Sequence, residues 1–95
     1  MFELQWTQYS KADYEKLDNS QRIMIDKALA RVIIKGCEAG QPLKGNLAGC
    51  YKMKHQKLGL RIVMRDIDNQ PTIIEIVAIG KRERSTVYKN AEKRL

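Results

Sequence analysis

A chain of 95 residues, 43% hydrophobic and 31% charged, has room for one domain with one modest core and none for two, so 1–95 is read as a single unit. Its net charge of +7 is uneven: residues 1–48 hold seven Lys and Arg against six Asp and Glu, residues 49–95 eleven against five, and a basic half points to an anionic partner. Two cysteines without close spacing and one histidine, His55, leave too few ligands for zinc. With no signal-like or membrane-length apolar run, a soluble, cytoplasmic chain with Cys37 and Cys50 as free, buried thiols is expected.

Phe2, Leu4 and Trp6 alternate with Glu3 and Gln5, the period of a half-buried strand. Ser10 is a candidate cap for a helix from about Lys11 to Leu17, and Asp18-Asn19-Ser20 breaks and recaps the chain. From Gln21 to about Lys35, Ile25, Ala28, Leu29, Val32 and Ile33 recur at helical spacing, with Gly36 as the stop. The two helices are expected to form a hairpin over one face of a sheet. Residues 36–49, rich in Gly, Pro and Asn, read as a loop. Three strands follow at Cys50–Gln56, Leu60–Asp66 and Thr72–Gly80, with a turn at Asp68-Asn69-Gln70-Pro71. The run Ile73–Ile79 is apolar except for Glu75, which places it centrally, covered on both faces. A short helix from Ser85 or Thr86 to about Arg94 closes the chain. The expected class is α+β, a helical hairpin on a small, mainly antiparallel four-stranded sheet in the order β-α-α-β-β-β-α.

The hairpin of the second and third strands carries the chemistry. With Lys57-Leu58 at its tip, Gln56 faces Gly59, Lys54 faces Arg61 and Lys52 faces Val63. Alternation then gathers Lys52, Lys54, Arg61, Val63 and Arg65 on one face and Tyr51, Met53, Leu60, Ile62 and Met64 on the other, the core side. Like charges opposed across a sheet are unfavourable. A merely wet face explains polarity, but not four cations without an acid. Arg82, just past the central strand, is in reach of the same spot.

Such a surface suits RNA cleavage by the substrate's own 2′-OH. That reaction needs a base for the hydroxyl proton, positive charge against a phosphorane-like transition state, and a proton for the leaving 5′-oxygen. His55 points to the core side in this register. A lysine serves as base when neighbouring cations and partial burial lower its pKa, and Lys54 has those neighbours. Arg61 and Arg82 can grip phosphate oxygens in pairs, and Tyr88 can stack on a base. A phosphate-binding groove without catalysis would present the same residues.

Leu43-Lys44-Gly45, Cys50-Tyr51-Lys52-Met53-Lys54, Gly59-Leu60-Arg61 and the run Gly80-Lys81-Arg82-Glu83-Arg84-Ser85-Thr86-Val87-Tyr88 resemble the RelE family of bacterial toxins, within the RelE/ParE superfamily. The resemblance extends over nearly the whole chain, including Lys16-Leu17-Asp18 in the helical hairpin. It implies a RelE-like microbial RNase fold and a ribosome-dependent, metal-independent endoribonuclease without cofactor, which cuts mRNA in the A site. It also implies a RelB-like antitoxin as partner, contacts to 16S rRNA, and operator DNA bound only through the antitoxin complex. The family's catalytic residues fall on Lys52, Lys54, Arg61, Arg82 and Tyr88. This assigns Lys54 as base, Lys52 and Arg61 as transition-state stabilisers, Arg82 as the family's candidate general acid, read here as acting mainly by charge and positioning because guanidinium rarely gives up its proton, and Tyr88 as the residue that orients or stacks the base. Lys44, Lys57, Arg65, Lys81 and Arg84 are the candidate RNA or ribosome contacts. The tip His55–Leu58 carries little positive charge for a ribosome-gripping member, and the Asp68–Pro71 turn is one residue longer than the family's.

Two rivals remain open: a ParE-like gyrase inhibitor, which has no need of the five-residue set, and a non-catalytic RNA- or ribosome-binding module. Trp6, Tyr51 and Met53 read most simply as core, and Lys93 and Arg94 as cations suited to a helix C-terminus.

Overall fold

Two capping boxes set the helical hairpin. In the computed structural model, which describes residues 1–55 and 57–95, Thr7 accepts from the Ser10 amide at 3.0 Å while Ser10 Oγ accepts from the Thr7 amide at 3.0 Å. Asp18 and Gln21 repeat the exchange at 2.8 and 3.0 Å. Helix α1 therefore spans Gln8–Glu15, three residues earlier than expected, and Ser10 is its buried third residue rather than its cap. Both hydroxyls are competent caps; what decides is the residue three positions on. Ser10 is free to answer Thr7, whereas Asp13, which would have to answer Ser10, is taken by Arg94 and the Ile79 amide. Helix α2 spans Asn19–Lys35, capped by Asp18, whose carboxyl is held below its usual range first by the hydrogen bond from the Gln21 backbone. Gly36 stops α2 at φ 65°, and a Cβ there would lie 2.7 Å from the Phe2 ring.

The strands are β1 (Glu3–Trp6), β2 (Gln41–Pro42), β3 (Cys50–His55), β4 (Leu60–Ile67) and β5 (Gln70–Lys81), followed by helix α3 (Thr86–Arg94). They form one sheet in the order β1-β5-β4-β3-β2, with β1 parallel to β5 and the other pairings antiparallel. The α+β class and mainly antiparallel sheet stand. The count of four strands is corrected to five, because β2 lies inside the expected loop. Two residues are too few to show a period, and Pro42, which has no N–H to donate, is tolerated there because β2 is an edge. The turn between β4 and β5 is also tighter than expected. Ile67 pairs with Gln70 across Asp68-Asn69, with Asn69 at φ 64°, and the pairing then shifts register before Asp66 meets Ile74.

Both faces of the sheet are covered. On one, α2 supplies Ile25, Ala28, Leu29 and Val32 against Met53, Leu60, Ile62, Met64, Ile74, Ile76 and Ile79, as the hairpin register requires. On the other, Val87 and Ala91 of α3 pack with Leu47, Cys50, Val63, Val77 and Ala78. Alternation lets β5 feed both cores, and because Met64 pairs with Ile76 while Val63 pairs with Ala78, a bulge leaves the consecutive Val77 and Ala78 both on the α3 side. The face that carries Lys52, Lys54 and Arg61, read as the side away from the core, is thus itself partly covered by α3. Burying Val63, Val77 and Val87 almost completely removes more apolar area from water than one face alone would allow. Cys37 and Cys50 are free and buried; burial, reinforced for Cys37 by nearby Asp66, pushes the Cys37 thiol up to about 12 and raises that of Cys50. No described helix is long and apolar enough to cross a membrane.

Candidate active site

Three strands bring the site together. Lys54 of β3 pairs with Arg61 of β4, and Arg61 pairs with Gly80 of β5. One row along, Lys52 pairs with Val63, which pairs with Ala78. The expected strand end at Gln56 and its pairing with Gly59 lie outside the described residues, while the expected Lys54–Arg61 and Lys52–Val63 pairs are as read.

Gly80 gives the row its shape. A Cβ there would lie 3.6 Å from that of Val87, so α3 closes over β5 at this point, with Tyr88 the next residue along the helix. Tyr88 is half-buried against the α3-side core. Arg61 is 7% exposed, and its Nη1 donates to the carbonyl of Leu60 at 2.8 Å. Among the described residues no carboxylate pairs with it. A buried guanidinium without a counter-ion is costly to a fold and useful to an anion site. Lys54 is exposed and Lys52 half-buried, so the partial burial expected of Lys54 is not found.

Arg82 stands just past β5, where its amide donates to the Gly59 carbonyl at 2.9 Å and ties the end of β5 to the hairpin tip. Gly59, at φ 64°, leaves the side-chain position beside the Arg82 Nε open. Arg84 and Ser85 follow with left-handed backbone, φ 54° and 58°, which costs two non-glycine residues about 1 kcal/mol each. That kink, closed by the Ser85 amide on the Arg82 carbonyl at 2.8 Å, turns the chain from strand into α3 and so joins Arg82 to Tyr88. Lys57, Lys81, Arg82 and Arg84 line one cleft of about 550 Å³, with Glu83 as its acid.

The other candidate contacts divide. Lys44 is exposed beside Leu43, which packs on the same core as Tyr88. Arg65 is at the opposite end of β4, paired with Cys50 across the ladder and bound to Glu75 at 2.7 Å. The supposed absence of acid on this face is thereby corrected: Glu75 was legible in the strand, but its meeting with Arg65 depends on the β4–β5 register. Arg94 is likewise no plain helix-end cation. It grips Asp13 at 2.6 and 3.1 Å and the Val77 carbonyl at 3.0 Å. His55 faces the core side as read, and its Nδ1 accepts from the Leu58 amide at 3.4 Å.

Residues 1–95 match no family model. They are 34% identical to the mRNA interferase toxin RelE of Escherichia coli K12 over 83 residues, 87% of this chain and 85% of that protein. A second Escherichia coli protein, described as RelE-like, is 34% identical over 97 residues, 99% of this chain and 97% of its own length. The chain belongs to the RelE family. The isolated E. coli RelE toxin superposes with a TM-score of 0.76 at 32% identity, covering 99% of this chain and 98% of that one. RelE in the intact E. coli RelBE toxin–antitoxin complex gives 0.74 at 28% identity over 88% of this chain and 100% of that one. The RelE resemblance read from the motifs is thus carried by both sequence and fold.

Proposed function

We propose that this chain is the toxin of a type II toxin–antitoxin pair and a metal-independent endoribonuclease that cuts mRNA in the ribosomal A site. The observation that carries the reading is Arg61, a buried cation with no acid partner among the described residues, in register with Lys54. Lys54 takes the proton of the 2′-OH, O2′ attacks phosphorus, and the P–O5′ bond breaks as O5′ takes a proton from solvent water, leaving a 2′,3′-cyclic phosphate and a 5′-hydroxyl. Lys52 and Arg61 offset the charge that builds on the phosphorane oxygens, where aligned cations act most strongly. Arg82 acts by charge and position, since a guanidinium does not give up its proton near neutral pH. Tyr88 orients or stacks the base. Lys44, Lys57, Lys81 and Arg84 extend the cationic surface for ribosomal RNA; Arg65, held by Glu75, does so least.

RelE is solved with RelB in E. coli. A RelB-like antitoxin is accordingly the partner for this chain, the operator is reached only through that complex, and the place of action is the cytoplasm, where ribosomes are. Primer extension on mRNA in a translating extract tests the reading. Cleavage that requires ribosomes and disappears in Lys54→Ala and Arg82→Ala supports it. Intact mRNA alongside gyrase-linked DNA breaks would instead favour the ParE-like alternative, and ribosome binding without any cut the non-catalytic module.

A further inference from the structure

The C-terminal end of α3 forms a second cationic concavity that the cleavage chemistry does not use. Tyr9, in the first turn of α1, is 53% exposed, and the Arg94 guanidinium lies 5.5 Å from its ring centroid. Arg94 is itself immobilised by Asp13 and the Val77 carbonyl, so it braces the ring rather than competing for a ligand. Asn90 and Lys93 complete a pocket of about 390 Å³, within the usual range for small-ligand sites.

This pocket is not an extension of the catalytic row. At 3.6 residues per turn, Asn90 lies about 200° around α3 from Tyr88. Glu92, the acid of α3, lies on the Tyr88 flank, so the Asn90–Lys93 side is free of carboxylate from its own helix. A ligand held at Asn90 and Lys93 therefore meets a different flank of α3 from one lying against Tyr88.

The parts present are those that hold an unpaired nucleotide: a braced aromatic face for the base, an amide for its hydrogen-bonding edge and an ammonium for its phosphate. A peptide side chain would call for a deeper apolar socket, and among the described residues Tyr9 is the one ring lining this pocket. We infer that the pocket formed by Tyr9, Asn90 and Lys93 binds one unpaired nucleotide of ribosomal RNA, anchoring the chain at a point separate from the cut. The inference rests on the ribosome reading above and deepens it.

The test is the affinity of labelled chain for purified 70S ribosomes across a salt series, with Lys54→Ala present throughout so that bound mRNA stays intact. Adding Tyr9→Ala is expected to weaken binding about tenfold while leaving the slope of log K against log salt unchanged. Tyr9→Phe, which keeps the ring, is expected to bind like the parent. Lys93→Ala is expected to shallow the slope by about 0.7, the loss of one phosphate contact. Parent-like affinity and slope for both alanine variants would overturn the pocket, as would losses confined to antitoxin binding. If the parent itself fails to bind ribosomes, the ribosome reading falls and the pocket with it, an outcome distinguishable because it appears before any variant is made.

Discussion

The two ends of α3 treat arginine in opposite ways. At the C-terminal end, Arg94 meets Asp13 through two bonds, and Asp13 Oδ2 also accepts from the Ile79 amide at 3.1 Å while Arg94 donates to the Val77 carbonyl. These groups lie on β5 beyond Trp6, where β1 has ended and the strand edge would otherwise be unpaired. Each of these polar groups is answered, and the pair joins α1, α3 and β5. At the N-terminal end, Arg61 is buried and has a carbonyl for company, with no acid among the described residues. The first arrangement serves the fold. The second withholds a partner from a buried cation, which makes sense when an anion arrives later. In this chain an arginine's meaning depends less on its exposure than on what answers it.

The widest separation between the two ends should appear in catalysis. Lys54→Ala is expected to slow single-turnover cleavage of ribosome-bound mRNA by about 10²- to 10⁴-fold, the usual contribution of a positioned base, with an unchanged melting curve. A matching loss in Asp13→Ala at a temperature where that variant is folded would break the contrast. Next in size is the stability of the Arg94 end. Asp13→Ala strands a partly buried guanidinium and an amide, and should lower the free energy of unfolding by about 3 kcal/mol in a urea titration.

Arg61 should respond with the other sign. Arg61→Met replaces an unanswered buried charge with an apolar chain of similar length, so it is expected to raise stability by about 1 kcal/mol while abolishing cleavage. A drop in stability would mean that the fold does rely on Arg61.

The smallest effect concerns the two thiols, which lie on opposite faces of the sheet, Cys37 in the α2-side core and Cys50 in the α3-side core. The Cys37 thiol is pushed up to about 12 in the folded chain against an ordinary value of 9.0. Between those values the unfolded chain has released a proton that the folded one keeps. This contribution to stability is therefore whole below about pH 9 and declines as pH rises from there towards 12. Alkylation followed by mass spectrometry at about pH 8 should find both cysteines inert in the folded chain and labelled in urea. Rapid labelling of the native thiols would contradict their burial.

Alternation within each strand and a two-residue tip were enough to put Lys54 opposite Arg61 and Met53 opposite Ile62, because these pairings depend on neighbours close in sequence. The stop at Gly36 and the central position of β5 were legible for the same reason: each is written in a local pattern, a glycine after an apolar period or a nearly unbroken apolar run. The motif from Gly80 to Tyr88 pointed to the family, and with it to the residues to weigh. Only the tertiary structure decided which cations are answered. The sequence shows eleven Lys and Arg in the second half but does not say that Arg65 finds Glu75 through a shifted register or that Arg94 crosses to Asp13, 81 positions away. Nor does it say that Arg61 goes under α3 with no acid to pair with it among the described residues. Charge is a property of residues, but ion pairing is a property of where the chain's distant parts meet, and here that distinction separates the scaffold from the site.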